Sequence, residues 1–183
     1  MSFIIAATLN NKTLLIGDKR SMKNGKIDND CTRKIHKFNN ILIGYVGIKE
    51  RCEFYLSKLT VADLSNGELV YKKLCEMIKN DVKYYNDRIN VSNYLIIDKT
   101  QDTTIHYKIF SFNNQFSKTI CNQKATISYL RSENLSNDNV EQMINLELDK
   151  KYHSLQDFLS HILLRVSEID STVSPDYFLE YLL

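Results

Sequence analysis

The chain opens on an apolar run at its second residue, and that run commits the beginning of the molecule to paired strands. Ser2-Phe3-Ile4-Ile5-Ala6-Ala7 is followed by Asn10-Asn11-Lys12 and then by Thr13-Leu14-Leu15-Ile16-Gly17-Asp18. β-Branched and apolar residues flanking a turn-forming asparagine pair predict a hairpin over residues 3–9 and 13–18. Asn24-Gly25 marks a second tight turn, between 21–23 and 26–27, with the type I′ geometry that Asn-Gly favours. Residues 34–38 alternate in character, which puts Lys34, His36 and Phe38 on one face and Ile35 and Lys37 on the other. Asn39-Asn40 then turns the chain into a buried strand over 41–47, Ile-Leu-Ile-Gly-Tyr-Val-Gly.

Helices come next. The first is expected from 49 to about 59, with Phe54, Tyr55 and Leu59 as its apolar stripe. The second runs from about 67 to 90, where Leu69, Leu74, Met77, Ile78 and Val82 recur at the spacing of a helix with one buried face. Strands are expected at 93–98, 104–112 and 124–130, helices at about 139–148 and 154–169, and a last strand at 177–182. Ser154 is the N-cap of the second of these helices, and Pro175 closes that region. Strands, a helix pair, strands, a helix pair and a strand predict an α+β, four-layer αββα sandwich. At 183 residues and 43% apolar content, the chain is expected to form one domain over 1–183, burying roughly 70% of its unfolded surface.

Three residues at equal intervals carry the chemistry: Ser2, Asp18 and Lys34, each sixteen positions from the next. Once Met1 is removed, Ser2 owns both a hydroxyl and a free α-amine. That amine has an ordinary pKa of about 7.7 to 8.0, so near neutrality part of it is unprotonated and can take the hydroxyl's proton. Lys34 would supply a positive charge that lowers the hydroxyl's pKa, and Asp18 would pair with Lys34 to keep it charged and aimed.

This arrangement resembles the proteasome β-subunit and HslV peptidase family of N-terminal nucleophile hydrolases. There a terminal threonine begins the first strand, an aspartate ends the second and a lysine opens a later strand at the same intervals. The resemblance extends through 41–47, so Gly47 is implied to present a backbone N–H to an oxyanion, and Asp170 is carried over as a buttress of the nucleophile. It implies the αββα sandwich, an amide-bond hydrolase acting on a peptide or protein, a homo-oligomeric ring and an ATP-driven unfoldase as partner. Ser21, Thr32, His36, Tyr45 and Lys49 are implied to line the substrate pocket; being mostly polar, they disfavour a purely apolar specificity.

The chain departs from the family pattern at several places. Serine stands where threonine is common, and the stretches 126–129 and 170–174 lack the family's glycines, so Ser128 and Ser174 match only loosely. Two alternatives therefore accompany the hydrolase: a transpeptidase or ligase, in which an amine rather than water resolves the acyl-enzyme, and an inactive structural or interaction subunit.

Other chemistries are disfavoured. Cys31, Cys52, Cys75 and Cys121 are far apart, with no C-x-x-C pair, so neither a disulfide framework nor a zinc site is expected. The four histidines lack metal-ligand spacing, and His161 sits in a helical run as a structural residue. With five glycines and one proline, no phosphate-cradling loop can be drawn, so no cofactor is expected. A net charge of +2 suggests neither nucleic acid nor membrane as partner. With no spanning run and no leader, a cytoplasmic setting is expected.

Overall fold

The computed structural model describes residues 2–10, 12–23, 26–84, 92–99, 103–111, 115–121 and 125–182. Its strands are β1 (Ile4–Leu9), β2 (Lys12–Asp18), β3 (Ser21–Lys23), β4 (Lys26–Asn29), β5 (Ile35–Phe38), β6 (Ile41–Gly47), β7 (Ser92–Lys99), β8 (Thr104–Phe110), β9 (Gln115–Cys121), β10 (Thr126–Leu130) and β11 (Tyr177–Leu182). Its α-helices are α1 (Lys49–Ser57), α2 (Gly67–Tyr84), α3 (Asn137–Leu148) and α4 (Leu155–Ile169).

Two antiparallel sheets form the centre. One has the order β10-β1-β2-β11 and the other β5-β6-β7-β8-β9, while β3 and β4 pair alone. The opening run is apolar at consecutive positions because both of its faces are buried. Phe3, Ile5 and Ala7 pack with Leu159, Ile162 and Val166 of α4. Ile4 and Ala6 point the other way, into a core shared with Leu42, Leu95 and Ile97 of the second sheet. The outer face of that second sheet, with Ile43, Tyr45, Tyr94 and Ile96, packs on Cys52 and Tyr55 of α1 and on Val70, Leu74 and Ile78 of α2. The four expected layers follow from this alternation.

The sheets interlock through two glycines. A methyl group on Gly17 of β2 would lie 2.9 Å from Ile35 Cγ2, and one on Gly44 of β6 would lie 3.0 and 3.1 Å from Ile4 Cδ1 and Cγ2. Each glycine thus makes room for an isoleucine of the facing sheet. Gly44→Val is expected to destabilise the fold by about 1–3 kcal/mol through overpacking, read as a lowered midpoint in urea.

The same interlayer holds a polar thread. Thr8 Oγ1 lies 3.0 Å from Thr13 Oγ1 and 3.1 Å from His106 Nε2, and His106 Nδ1 lies 2.8 Å from Ser128 Oγ. A neutral imidazole satisfies both contacts, one ring nitrogen donating and the other accepting. Burial, with a smaller contribution from Lys108, lowers the His106 pKa from 6.5 to about 4. The unfolded state therefore binds the proton first. Stability from this site is complete above about pH 6.5 and is lost as pH falls toward 4, on the order of 3 kcal/mol in all. Urea titrations at pH 5 and 7 should show this loss in wild type, and His106→Gln should flatten it.

Several elements differ from expectation. β9 has no counterpart among the expected strands; it pairs with β8 from Thr104↔Cys121 to Phe110↔Gln115 and widens the second sheet to five strands. In α1, Phe54 is exposed while Tyr55 is buried. In α2 the buried stripe runs through Val70, Leu74 and Ile78, leaving Leu69 exposed. The Gly67 N–H donates to Asp98 Oδ2 at 2.9 Å, and a methyl on Gly67 would lie 2.4 Å from Asp98 Cβ. Leu74, Met77 and Ile78 face the core as expected, and Val70 takes the inward place expected of Leu69. α2 is described to Tyr84, and the remainder of the expected helix, like the Asn24-Gly25 turn, lies outside the described residues. Ser154 caps α4 as expected, accepting from the Asp157 N–H, and Ser136 caps α3 in the same way. No helix among the described residues is long and apolar enough to cross a membrane.

Candidate active site

The β1–β2 hairpin brings its two ends together. The Asp18 N–H donates to the Phe3 carbonyl at 3.1 Å, and the Phe3 N–H donates to Asp18 Oδ1 at 2.8 Å. The carboxylate is thereby fixed one peptide unit from Ser2, which is itself buried. Lys34 enters just ahead of β5, where its carbonyl accepts from the Tyr45 N–H at 3.0 Å. Its Nζ donates to both carboxylate oxygens of Asp18, each at 3.0 Å, and to the Arg20 carbonyl. The two side chains are 3% and 0% exposed, so this is a desolvated ion pair.

Five donor contacts converge on Asp18. Besides Phe3 and the two from Lys34, Oδ2 accepts from the Arg20 N–H at 3.0 Å and the Ser174 N–H at 3.4 Å. Burial raises the Asp18 carboxyl pKa and lowers that of the Lys34 ammonium, each opposed by the partner's charge. The converging donors favour the carboxylate. All three Lys34 protons are engaged, which suits it to act as a fixed charge rather than as a proton carrier.

Gly47 ends β6 with φ 146°, a backbone conformation that favours glycine. Hydrogen bonding alternates along an antiparallel strand. Tyr45 bonds toward β5, so the Gly47 N–H is directed to the same edge, past the start of β5. Thr32, whose carbonyl would be the next partner on that edge, instead turns its N–H to the Lys19 carbonyl at 2.9 Å.

The remaining residues singled out in the sequence separate into groups. His36 stacks between Phe38 and Tyr45, with ring centroids 6.3 and 6.2 Å away. The Tyr45 hydroxyl donates to Glu53 Oε1 at 3.1 Å and lies 3.3 Å from the Arg33 carbonyl. Burial pushes the Tyr45 pKa up and the His36 pKa down, the latter with help from the Arg33 charge. Thr32 Oγ1 and His36 Nε2 are buried and have no hydrogen-bond partner among the described residues. Ser21 donates to the Asn29 carbonyl at 3.3 Å inside the β3–β4 hairpin, and Lys49 begins α1, half-buried.

Asp170 makes no hydrogen bond to the trio among the described residues. It follows α4 and organises a turn, accepting from the Thr172 N–H at 2.9 Å, from the Thr172 hydroxyl at 2.6 Å and from Ser132. That turn delivers the Ser174 N–H to Asp18. Ser128 is placed elsewhere, on His106 in the interlayer, because it pairs with Ala6 well along β1.

Arg20 is the contact to the Asp18–Lys34 pair that sequence reasoning misses; its one signal is a cation two positions after the carboxylate. Among the described residues no group of three or more His, Cys, Asp or Glu could hold a metal. Cys52 and Cys75 are free and buried, and Cys31 is free and exposed; burial pushes the Cys52 thiol up to about 12, which makes it a poor nucleophile. His161 is exposed and packs on Tyr152 with ring centroids 5.1 Å apart.

No protein-family model and no curated protein matches the chain. Solved structures do. Eukaryotic HslV from Trypanosoma brucei aligns over 98% of both chains with a TM-score of 0.72 at 12% identity. Anbu, the ancestral beta-subunit from Yersinia bercovieri, aligns over 98% of this chain and 81% of its own with a TM-score of 0.70 at 11% identity. At such identity the likeness speaks for architecture alone: the chain has the four-layer αββα sandwich fold of HslV and Anbu.

Proposed function

We propose that this protein is a proteasome- or HslV-like amide-bond hydrolase whose nucleophile is Ser2, exposed by removal of Met1. The observation that carries the reading is the convergence of a desolvated Asp18–Lys34 pair on the backbone of Phe3, the residue next to Ser2. An isolated pair of this kind is expensive to bury. Its position beside the only residue that would combine hydroxyl and α-amine gives it a use.

In this mechanism Ser2 Oγ attacks the substrate carbonyl while its proton passes to the α-amine, directly or through one water. Lys34, its three protons held by Asp18 and Arg20, stabilises the developing alkoxide by charge. The Gly47 N–H donates to the oxyanion. The C–N bond then breaks, the leaving amine takes the proton from the α-ammonium, and an ester remains on Ser2. Water adds to that ester, its proton again passing to the amine, and releases the acid. Thr32 and His36, whose buried polar atoms have no partner among the described residues, together with Tyr45, Ser21 and Lys49, form the substrate side of the site, and Asp170 acts from behind through the Ser174 turn. The natural substrate is a peptide or protein, and a homo-oligomeric ring served by an ATP-driven unfoldase belongs to the same reading.

The test is mass spectrometry of protein from its native host. The intact mass should lack Met1, and a peptidyl β-lactone should add once, on Ser2. Retained Met1, or an adduct elsewhere, would overturn the proposal in favour of an inactive interaction subunit. Adding a competing amine decides between water and transfer: an amide product marks the transpeptidase, and free acid alone marks the hydrolase.

A further inference from the structure

We propose that Arg20 is a positioning residue of this site: its side chain, clamped between the β3–β4 hairpin and the turn after α4, holds its own backbone against both Asp18 and Lys34. The inference rests on the reading that Ser2 reacts with help from this pair. Arg20 touches the pair only through its main chain, donating its N–H to Asp18 Oδ2 at 3.0 Å and accepting from Lys34 Nζ at its carbonyl. Residues 19 and 20 belong to neither β2 nor β3; their neighbours are held by the Thr32 N–H on the Lys19 carbonyl at 2.9 Å and by the pairing of Ser21 with Asn29, and the Arg20 side chain adds a further restraint.

The guanidinium supplies that restraint from two sides. Nε donates to Asp30 Oδ1 at 2.7 Å and Nη2 to Asp30 Oδ2 at 3.4 Å, just beyond β4. Nη1 donates to the Ser171 carbonyl at 2.8 Å. Ser171 sits in the turn that Asp170 organises and that presents the Ser174 N–H to Asp18. The clamp therefore ties together two independent approaches to one carboxylate. A planar fork can grip a carboxylate with two N–H groups and reach a carbonyl with a third; a lysine ammonium cannot hold that geometry. The ion pair itself is partly solvated, with Asp30 48% exposed, so it adds little to stability. What it contributes is the placement of the Arg20 carbonyl.

The charged groups that face Lys34 are Asp18 from β2, Arg20 from the β2–β3 connection and Asp30 from the end of β4. Loss of the clamp should move the Lys34 environment as well as the reaction. The experiment compares wild type, Arg20→Ala, Arg20→Lys and Asp30→Asn by the rate of β-lactone addition to Ser2 between about pH 5 and 9. The Lys34 Nζ resonance is followed by NMR over the same range. Arg20→Ala should slow acylation by roughly tenfold to a hundredfold, the scale of a small misplacement near the reacting atoms. It should also shift the inflection of the pH profile and the Lys34 titration together. Asp30→Asn should act in the same direction, and Arg20→Lys should not restore the rate.

An Arg20→Ala protein with wild-type rate, pH profile and Lys34 titration would overturn the inference while leaving Ser2 as nucleophile. If wild type fails to acylate yet Arg20→Ala still shifts the Lys34 titration, the positioning role stands and the catalytic reading falls.

Discussion

Ser2→Ala is expected to abolish β-lactone addition and to reduce peptide hydrolysis by roughly 10⁴- to 10⁶-fold, the usual scale for losing a nucleophile. The removed atom is a single hydroxyl oxygen. Ser2 precedes β1, and the Phe3 N–H that anchors Asp18 belongs to the next residue, so the framework around it should persist. The melting temperature of the variant is therefore expected within a few degrees of wild type. Ser2→Thr keeps the hydroxyl and adds a methyl that restricts its rotamer, and it should retain activity. Equal labelling of wild type and Ser2→Ala would remove Ser2 from the mechanism outright.

Lys34→Met should destabilise the protein more than Gly44→Val or any substitution at Arg20. It leaves the Asp18 carboxylate fully buried among N–H donors with no counter-charge, and breaking a buried pair from one side typically costs about 3–5 kcal/mol. The carboxyl should respond by taking up a proton at higher pH than in wild type, so the loss should deepen as pH rises. Adding Asp18→Asn to the same chain removes the orphaned charge. The double variant should recover part of the stability, which a double-mutant cycle in urea would measure. Activity should not recover, because the cation that steadies the Ser2 alkoxide is still missing. If the double variant were no more stable than Lys34→Met alone, the pair would not be the electrostatic unit that its distances describe.

Much of this is legible in the sequence because burial on both faces leaves an unambiguous mark. Phe3-Ile4-Ile5-Ala6-Ala7 and Ile41-Leu42-Ile43 are apolar at every position, which a strand achieves only between two covering layers. Asn10 and Asn39 sit at hairpin turns with φ 48° and 49°, a left-handed conformation that asparagine tolerates better than most residues. Where one face is open the mark fades. Gln115 to Cys121 mixes polar and apolar residues without a clear period, and its strand identity comes from pairing with β8. At the start of α2 the Gly67 N–H donates to Asp98, 31 residues away, a contact that periodicity within the helix cannot express. Phe54 falls outside the buried face for a related reason: a nine-residue helix offers too few turns for its sequence to define that face.

The site divides along the same line. Ser2, Asp18 and Lys34 can be picked out together because each lies at the edge of a strand whose length the sequence sets, so equal intervals translate into shared position. The amino-acid order alone determined the layered architecture and these three residues. Only the tertiary structure decided that Ser174 reaches Asp18 while Ser128 is claimed by His106, and that Arg20 touches both members of the pair. Those contacts join segments up to 156 residues apart, through loops with no periodicity. Their geometry is settled when separate layers dock, and no local pattern in the chain encodes it.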